Sequence, residues 1–235
     1  MRVSVIIPTR NEGSAIGRVL ADLPSDLVTE VIVVDSNSTD GTPETAARQG
    51  ARVISETRRG YGRACMTGLA NANAPDVVVF LDGDYSDRPA ELPLLLAPIA
   101  EGRADITIGS RLAGPRTPGA LPWQALFGNW FAASLIKSLY GIKISDLGPF
   151  RAVRTDVLRA VELEETTYGW AVELILKGAI RGFRIVEVPV SYHPRIGQSK
   201  ISGTVKGTIG AAWFILSRIA FYYFHQRKTE TPRSA

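Results

Sequence analysis

The chain has 235 residues, 45% of them hydrophobic, which is enough for one substantial core and too little for two independent ones. Its 27 Lys and Arg against 23 Asp and Glu leave a formal charge of +4, an excess that suits anionic substrates or an acidic membrane face but is too diffuse for a nucleic-acid groove. A single cysteine, Cys65, excludes an internal disulfide, and the opening MRVSVIIPTRNE lacks the apolar core and cleavage site of a signal peptide, so a reducing, cytoplasmic setting is expected.

The first strand is expected over Val3 to Ile7 (VSVII), followed by the polar run Pro8, Thr9, Arg10, Asn11 and Glu12. A proline-containing polar loop at that position can form one wall of a nucleotide pocket, although Glu12 equally suits a first helical turn, where the helix dipole favours an acid. A second strand, Glu30 to Asp35, runs into DSNSTDGT. There Asp35 is placed to accept hydrogen bonds from a base N–H or a ribose hydroxyl, whereas Asp40-Gly41-Thr42 reads as a turn and helix start. Further strands are expected at Ala51 to Ile54 and Asp76 to Leu81, with helical patterns between them. Near-continuous apolar strands joined by helical crossovers define an α/β chain with a mainly parallel sheet. In such sheets ligands bind beyond the carboxyl ends of the strands, where PTRNE, DSNSTDGT and DGD all fall.

The fourth strand ends in FLDGDYSD. Asp82 and Asp84, separated by Gly83, can share a hard divalent cation whose other positions go to phosphate and water, and the glycine permits close backbone approach. The bland alternative is a solvated acidic turn; the location at the ligand-binding edge favours the cation. After Gly109-Ser110-Arg111 comes a proline- and glycine-rich loop, LAGPRTPGALPWQ, then a helix from about Trp123, the segment SDLGPFRAVR, an amphipathic stretch YGWAVELILKGAI, a strand over Arg184 to Tyr192 and the polar loop HPRIGQSKISG. Arg111, Arg151, Arg195 and Lys200 lie on these loops, where arginine suits bidentate phosphate binding and lysine supplies a mobile charge. No Ser/His/Asp triad, zinc spacing, P-loop or G-x-G-x-x-G is present, and the two histidines, His193 and His225, have no neighbouring ligand residues in sequence. The expected organisation is a catalytic domain over 1–203, a C-terminal apolar helix over 204–225 and a flexible tail over 226–235.

Taken in order, IIPTRNE, VVDSNSTDGT, FLDGDYSDRP, GSR, DLGPFRAVR, YGWAVE and RIGQSKISG resemble glycosyltransferase family 2, in particular its dolichyl-phosphate mannose and glucose synthase branch. The resemblance implies a GT-A (Rossmann-like) fold, a UDP- or GDP-sugar donor, Mg²⁺ or Mn²⁺, and inverting transfer, often to a polyprenyl phosphate. It places Pro8, Thr9, Arg10, Glu12 and Asp35 at the base and ribose, Asp82, Gly83 and Asp84 at the metal and diphosphate, and Arg111, Arg195 and Lys200 at phosphates. For a phosphate acceptor, Arg151 would be the acceptor clamp and Asp146 an orienting group; for a hydroxyl acceptor, Asp146 would be the base. Two departures bear on this: Ser86, followed by Asp87, stands where the branch often carries a metal-binding Gln, and Gly148-Pro149-Phe150-Arg151 replaces Ser-Gly-Phe-Arg. The aromatic-rich segment Thr204 to Phe224 is interrupted by Arg218 well short of a membrane span, so it is expected either to lie in a membrane interface or to pack on the core or on a second subunit. The alternatives to lipid-phosphate transfer are transfer to a soluble hydroxyl acceptor and a non-catalytic nucleotide-sugar-binding subunit.

Overall fold

The computed structural model of the chain describes residues 1–197 and 216–224. Lys200, His225, the tail over 226–235 and most of the expected C-terminal helix therefore lie outside the described residues, as do the boundaries at 203 and 225. Seven strands form one sheet: β1 Val3–Thr9, β2 Glu30–Asp35, β3 Arg52–Ser55, β4 Val77–Phe80, β5 Ile106–Ser110, β6 Arg151–Arg154 and β7 Ile185–Pro189, in the spatial order β3-β2-β1-β4-β6-β5-β7. β1 pairs in parallel with both β2 and β4, β2 with β3, and β5 with β7; β6 runs antiparallel to β4 and β5. The helices are α1 Ile16–Ala21, α2 Thr42–Arg48, α3 Tyr61–Asn71, α4 Leu92–Ala100, α5 Trp123–Tyr140, α6 Thr155–Val161 and α7 Trp170–Ile180.

The strand sequences explain the layering. Side chains alternate across a strand, yet in β1 both Val5 and Ile7 on one face and Ile6 on the other are fully buried. Ile6, Val34, Val78 and Phe80 pack with α3, α5, α6 and α7, while Val5, Ile7, Val33 and Val79 pack with α1, α2 and α4. A sheet covered on both faces leaves little room for polar side chains along its length, and the few present, such as Ser4 and Thr107, are hydrogen-bonded, so most polar chemistry is displaced to the strand ends. The chain leaves β1 toward β2 and β3 on one side and returns on the other as β4, which creates a switch point between β1 and β4.

β6 lies inside SDLGPFRAVR, where the sequence predicts no strand. It is four residues long with arginine at both ends, so its pattern is weak; pairing decides it, with Val153 opposite both Val78 and Ile106. The proline-rich loop after β5 is tied to the exit of β7, Thr117 N donating to Tyr192 O at 3.0 Å and Tyr192 N to Pro115 O at 3.0 Å. Residues 216–224 are helical and pack on α5 and α7: Tyr140 Oη donates to Ile219 O at 2.6 Å, Arg218 pairs with Glu165 at 2.6 Å, and Tyr222 Oη donates to Glu173. Among the described residues no helix is long and apolar enough to cross a membrane.

Phe80 and Trp170 meet edge to face with centroids 4.7 Å apart beneath the carboxyl end of β4. Phe80→Ala is expected to destabilise the fold by about 3–5 kcal/mol through lost burial and a residual cavity, read from urea midpoints at unchanged m-value.

Candidate active site

A cavity of about 320 Å³ opens at the β1/β4 switch point. Its walls are Pro8, Thr9, Arg10 and Glu12 from the exit of β1, Ser36 from β2, Asp82, Gly83 and Asp84 from β4, Arg59, Gly60 and Tyr61 at the start of α3, Tyr168 before α7, and Arg195. A Cβ on Gly83 would stand 2.9 Å from the Thr9 methyl, so the two strand exits approach as closely as they do because that side chain is absent. The next turn is tight: Tyr85 sits at φ 61°, a left-handed conformation that costs energy for a bulky residue and aims the flanking acids away from a regular strand path.

Asp84 is held from three directions. Its Oδ1 accepts the Ser86 N–H at 2.9 Å and the Ser86 hydroxyl, its Oδ2 faces Arg195 Nη1 at 3.3 Å, and its carbonyl accepts Ile196 N–H at 2.9 Å. Ser86 thus buttresses Asp84. Arg195 also pairs with Glu12 Oε1 at 3.2 Å, so it bridges two acids across the cavity. Burial, and behind it the neighbouring charge of Asp84, push the Asp82 carboxyl up to about 7. Two close carboxylates held without full compensation form a donor set that fits a hard divalent cation. Among the described residues no three His, Cys, Asp or Glu side chains converge into a metal-binding group, so further ligands would come from substrate and water. Asp87 is buried with both carboxylate oxygens lacking a hydrogen-bond partner, and burial, opposed by Arg111, holds it well above the carboxylate range. His193 is turned to the loop, its Nδ1 lying 3.0 Å from Thr117 Oγ1.

Four expected residues do not line this cavity. Asp35 is occupied: its Oδ2 accepts the Ser38 N–H at 2.9 Å, and Oδ1 takes the Ser38 hydroxyl with a longer bond from Thr9 at 3.3 Å, so it organises the loop after β2. Asp146 is fully buried and gripped by Arg111, Nε donating to Oδ2 at 2.8 Å and Nη2 to Oδ1 at 2.7 Å, with the Arg111 N–H adding a third bond at 2.7 Å. That bidentate pairing with a guanidinium makes Asp146 a poor proton acceptor in this arrangement. Arg111 is the other half of this internal ion pair. Arg151, buried to 1% exposure, donates to the carbonyls of Gly148, Leu147 and Ala171 at 2.6, 2.8 and 2.6 Å, so it braces the loop between α5 and β6.

The sequence reading missed Arg59, Tyr61, Tyr168 and Glu187. The first two follow β3, at the same carboxyl edge as the other strand-end clusters, and that position was the available signal. Tyr168 is brought in from far along the chain by packing. Glu187, from β7, accepts the N–H groups of Ser145 and Asp146, both at 2.8 Å, and the Ser145 hydroxyl at 3.0 Å, and so presents Asp146 to Arg111.

The model of the family described as Glycosyl transferase family 2 matches residues 4–161. A dolichyl-phosphate hexose transferase of Haloferax volcanii is 38% identical over 204 residues, covering 85% of this chain and 86% of the relative. An undecaprenyl-phosphate mannosyltransferase of Micrococcus luteus is 36% identical over 226 residues, covering 88% and 90%. Among solved structures, glucosyl-3-phosphoglycerate synthase from Mycobacterium tuberculosis, in complex with Mn²⁺, UDP and glucosyl-3-phosphoglycerate, matches with a TM-score of 0.73 at 25% identity, over 93% of this chain and 80% of that one.

Removing Arg111 leaves Asp146 buried and unpaired, so Arg111→Met is expected to cost about 3–5 kcal/mol in urea unfolding, and Arg111→Met/Asp146→Leu to recover most of the loss. Asp82 gives a pH signature in protein free of divalent cations. As pH falls from about 7 toward the ordinary carboxylate range, the folded chain holds a proton there that the unfolded chain lacks, so this group's contribution raises stability on acidification and lowers it as pH rises. Asp82→Asn should flatten that part of the profile of urea midpoint against pH.

Proposed function

The chain belongs to glycosyltransferase family 2 and has a GT-A fold, and from that premise we propose that this enzyme moves a hexose from a UDP- or GDP-sugar to a polyprenyl phosphate. The observation that carries the acceptor is the Arg111–Asp146 lock. The carboxylate on the acceptor side of the sequence pattern is not free to take a proton, which matters little if the acceptor oxygen is already anionic and needs positioning only. The names of the two relatives above, at 36–38% identity over most of both chains, support the same acceptor class.

In this reading Tyr61, Tyr168 and the Pro8–Arg10 wall would enclose the nucleoside, and Asp82 and Asp84 would hold a divalent cation beside its diphosphate. Mn²⁺ or Mg²⁺, when bound, supplies positive charge where negative charge builds up on the leaving group. Arg195 exchanges its bridge to Glu12 and Asp84 for the phosphates; Arg10 and Arg59 add charge at the rim. With the donor so placed, the acceptor oxygen attacks the anomeric carbon from the face opposite the diphosphate, and the configuration inverts.

A second reading, transfer to a small soluble anionic acceptor, draws on the likeness to glucosyl-3-phosphoglycerate synthase. The two separate on acceptor assays: release of nucleoside diphosphate with a short-chain polyprenyl phosphate and not with phosphoglycerate supports the first, and the converse overturns it. A thermal-shift panel of UDP, GDP and their sugars with Mn²⁺ assigns the donor. Asp84→Ala is expected to lose the Mn²⁺-dependent shift and to lower turnover by about 10²–10³-fold, the equivalent of a few kcal/mol of leaving-group stabilisation; unchanged metal-dependent turnover would refute the cation site.

A further inference from the structure

α5 turns its apolar residues the wrong way for a core helix. Ala132, Ala133 and Ile136 are buried, yet its largest side chains face solvent: Trp123 is 72% exposed, Phe127 61%, Trp130 59% and Phe131 40%. At about 100° per residue these four fall within an arc of about 100°, on the side away from Ala132 and Ile136. Three of them touch, Phe127 stacking on Phe131 at 6.4 Å and leaning on Trp130 at 5.9 Å, and Trp123 lies on the same side one turn earlier, so they form one aromatic face rather than scattered surface residues. The charge along this stretch of chain is one-sided. From residue 112 to residue 145 there is no Asp or Glu, whereas Arg116, Lys137 and Lys143 are present and exposed.

We propose that this face of α5 seats the enzyme on an anionic bilayer surface, Trp and Phe entering the headgroup boundary while Arg116, Lys137 and Lys143 meet lipid phosphates. Aromatic side chains combined with cations free of acids is the composition of an interfacial helix. A second copy of the chain fits less well, because a two-fold contact would set this positive patch against itself. A spanning role does not arise, since α5 is among the helices too short or too polar to cross. The face is also coupled to the site: Asn129 of α5 donates to Ser145 O at 2.8 Å and accepts Leu147 N–H at 2.9 Å, gripping the two residues that flank Asp146. Docking thus holds the acceptor side of the enzyme at the depth where a lipid phosphate lies. In that purpose it rests on the polyprenyl-phosphate reading, but the surface itself is testable without it.

The test is flotation of the full chain with vesicles of equimolar phosphatidylcholine and phosphatidylglycerol that contain no polyprenyl phosphate. The wild type should float with these vesicles and much less with phosphatidylcholine alone. Phe127→Ser/Trp130→Ser, checked by thermal melt for a retained fold, should lower the bound fraction by about tenfold, as expected when apolar contact area is lost, and Lys137→Glu/Lys143→Glu should remove the preference for anionic lipid. Equal flotation of the aromatic variant would overturn the proposal, as would a wild-type dimer in light scattering that this variant dissolves. Turnover of a short-chain polyprenyl phosphate in detergent, expected to be unchanged in the aromatic variant, reports separately on the catalytic reading: its absence in the wild type would sink that reading and leave the docking result standing.

Discussion

The sheet is buried on both faces, and the rest of the molecule follows from that constraint. Val5, Ile6 and Ile7 make the middle of β1 apolar on both faces, as Val77 to Phe80 do along β4, and the polar residues of β1, Ser4 and Thr9, sit toward its ends. Unpaired polar groups inside such a layer would each cost about 1–3 kcal/mol, so polar function collects where strands end. Because β1 sends the chain one way and receives β4 on its other side, two strand exits diverge at one place, and Gly83 lets them meet there at van der Waals distance. The cavity is a product of topology before it is a product of chemistry.

Charge in and below the cavity is arranged at two levels of permanence. Below it, Arg111, Asp146 and Glu187 form a relay whose members bond to one another and to the backbone, and Arg151 caps three carbonyls; Asp146 and Arg151 are buried, and all four are engaged in holding a loop. At the cavity itself, Asp82 is undercompensated and Arg195 spans two acids with longer contacts of 3.2 and 3.3 Å. Rigid pairs under a site and exchangeable pairs within it serve preorganisation: the ligand displaces contacts that cost little to break, against a floor that does not move.

The same division appears on the outside of the molecule. Helix 216–224 offers Ile219 to the core and is clasped through Tyr140, Glu165 and Glu173, whereas α5 offers its small residues to the core and its aromatics to solvent. Of the two segments, the one whose sequence looks more membrane-like is tied to the protein through Tyr140, Glu165 and Glu173 while Phe221 and Phe224 stay exposed, and the one read simply as a helix presents a solvent-facing aromatic face.

Periodicity and strand-end composition carry much of the architecture. VSVIIPT, EVIVVD and DVVVFL have the unbroken apolar texture of doubly covered strands, and the polar runs that follow them mark one edge. The short antiparallel β6 is invisible at that level, since four residues framed by arginines gain strand character only from Val78 and Ile106 on either side. The same limit governs the site. By itself the sequence determined a mainly parallel α/β sheet, the edge at which ligands bind, and the Asp82-Gly83-Asp84 pair, because these depend on local alternation and on residues adjacent in the chain. Tertiary structure alone decided that Asp146 is spent on Arg111, that Arg151 serves backbone carbonyls, that Tyr168 reaches the cavity and that α5 faces outward. Each of those outcomes depends on a partner tens of residues away or on which side of a helix the core occupies, and hydrogen-bond capacity is assigned only when the chain closes.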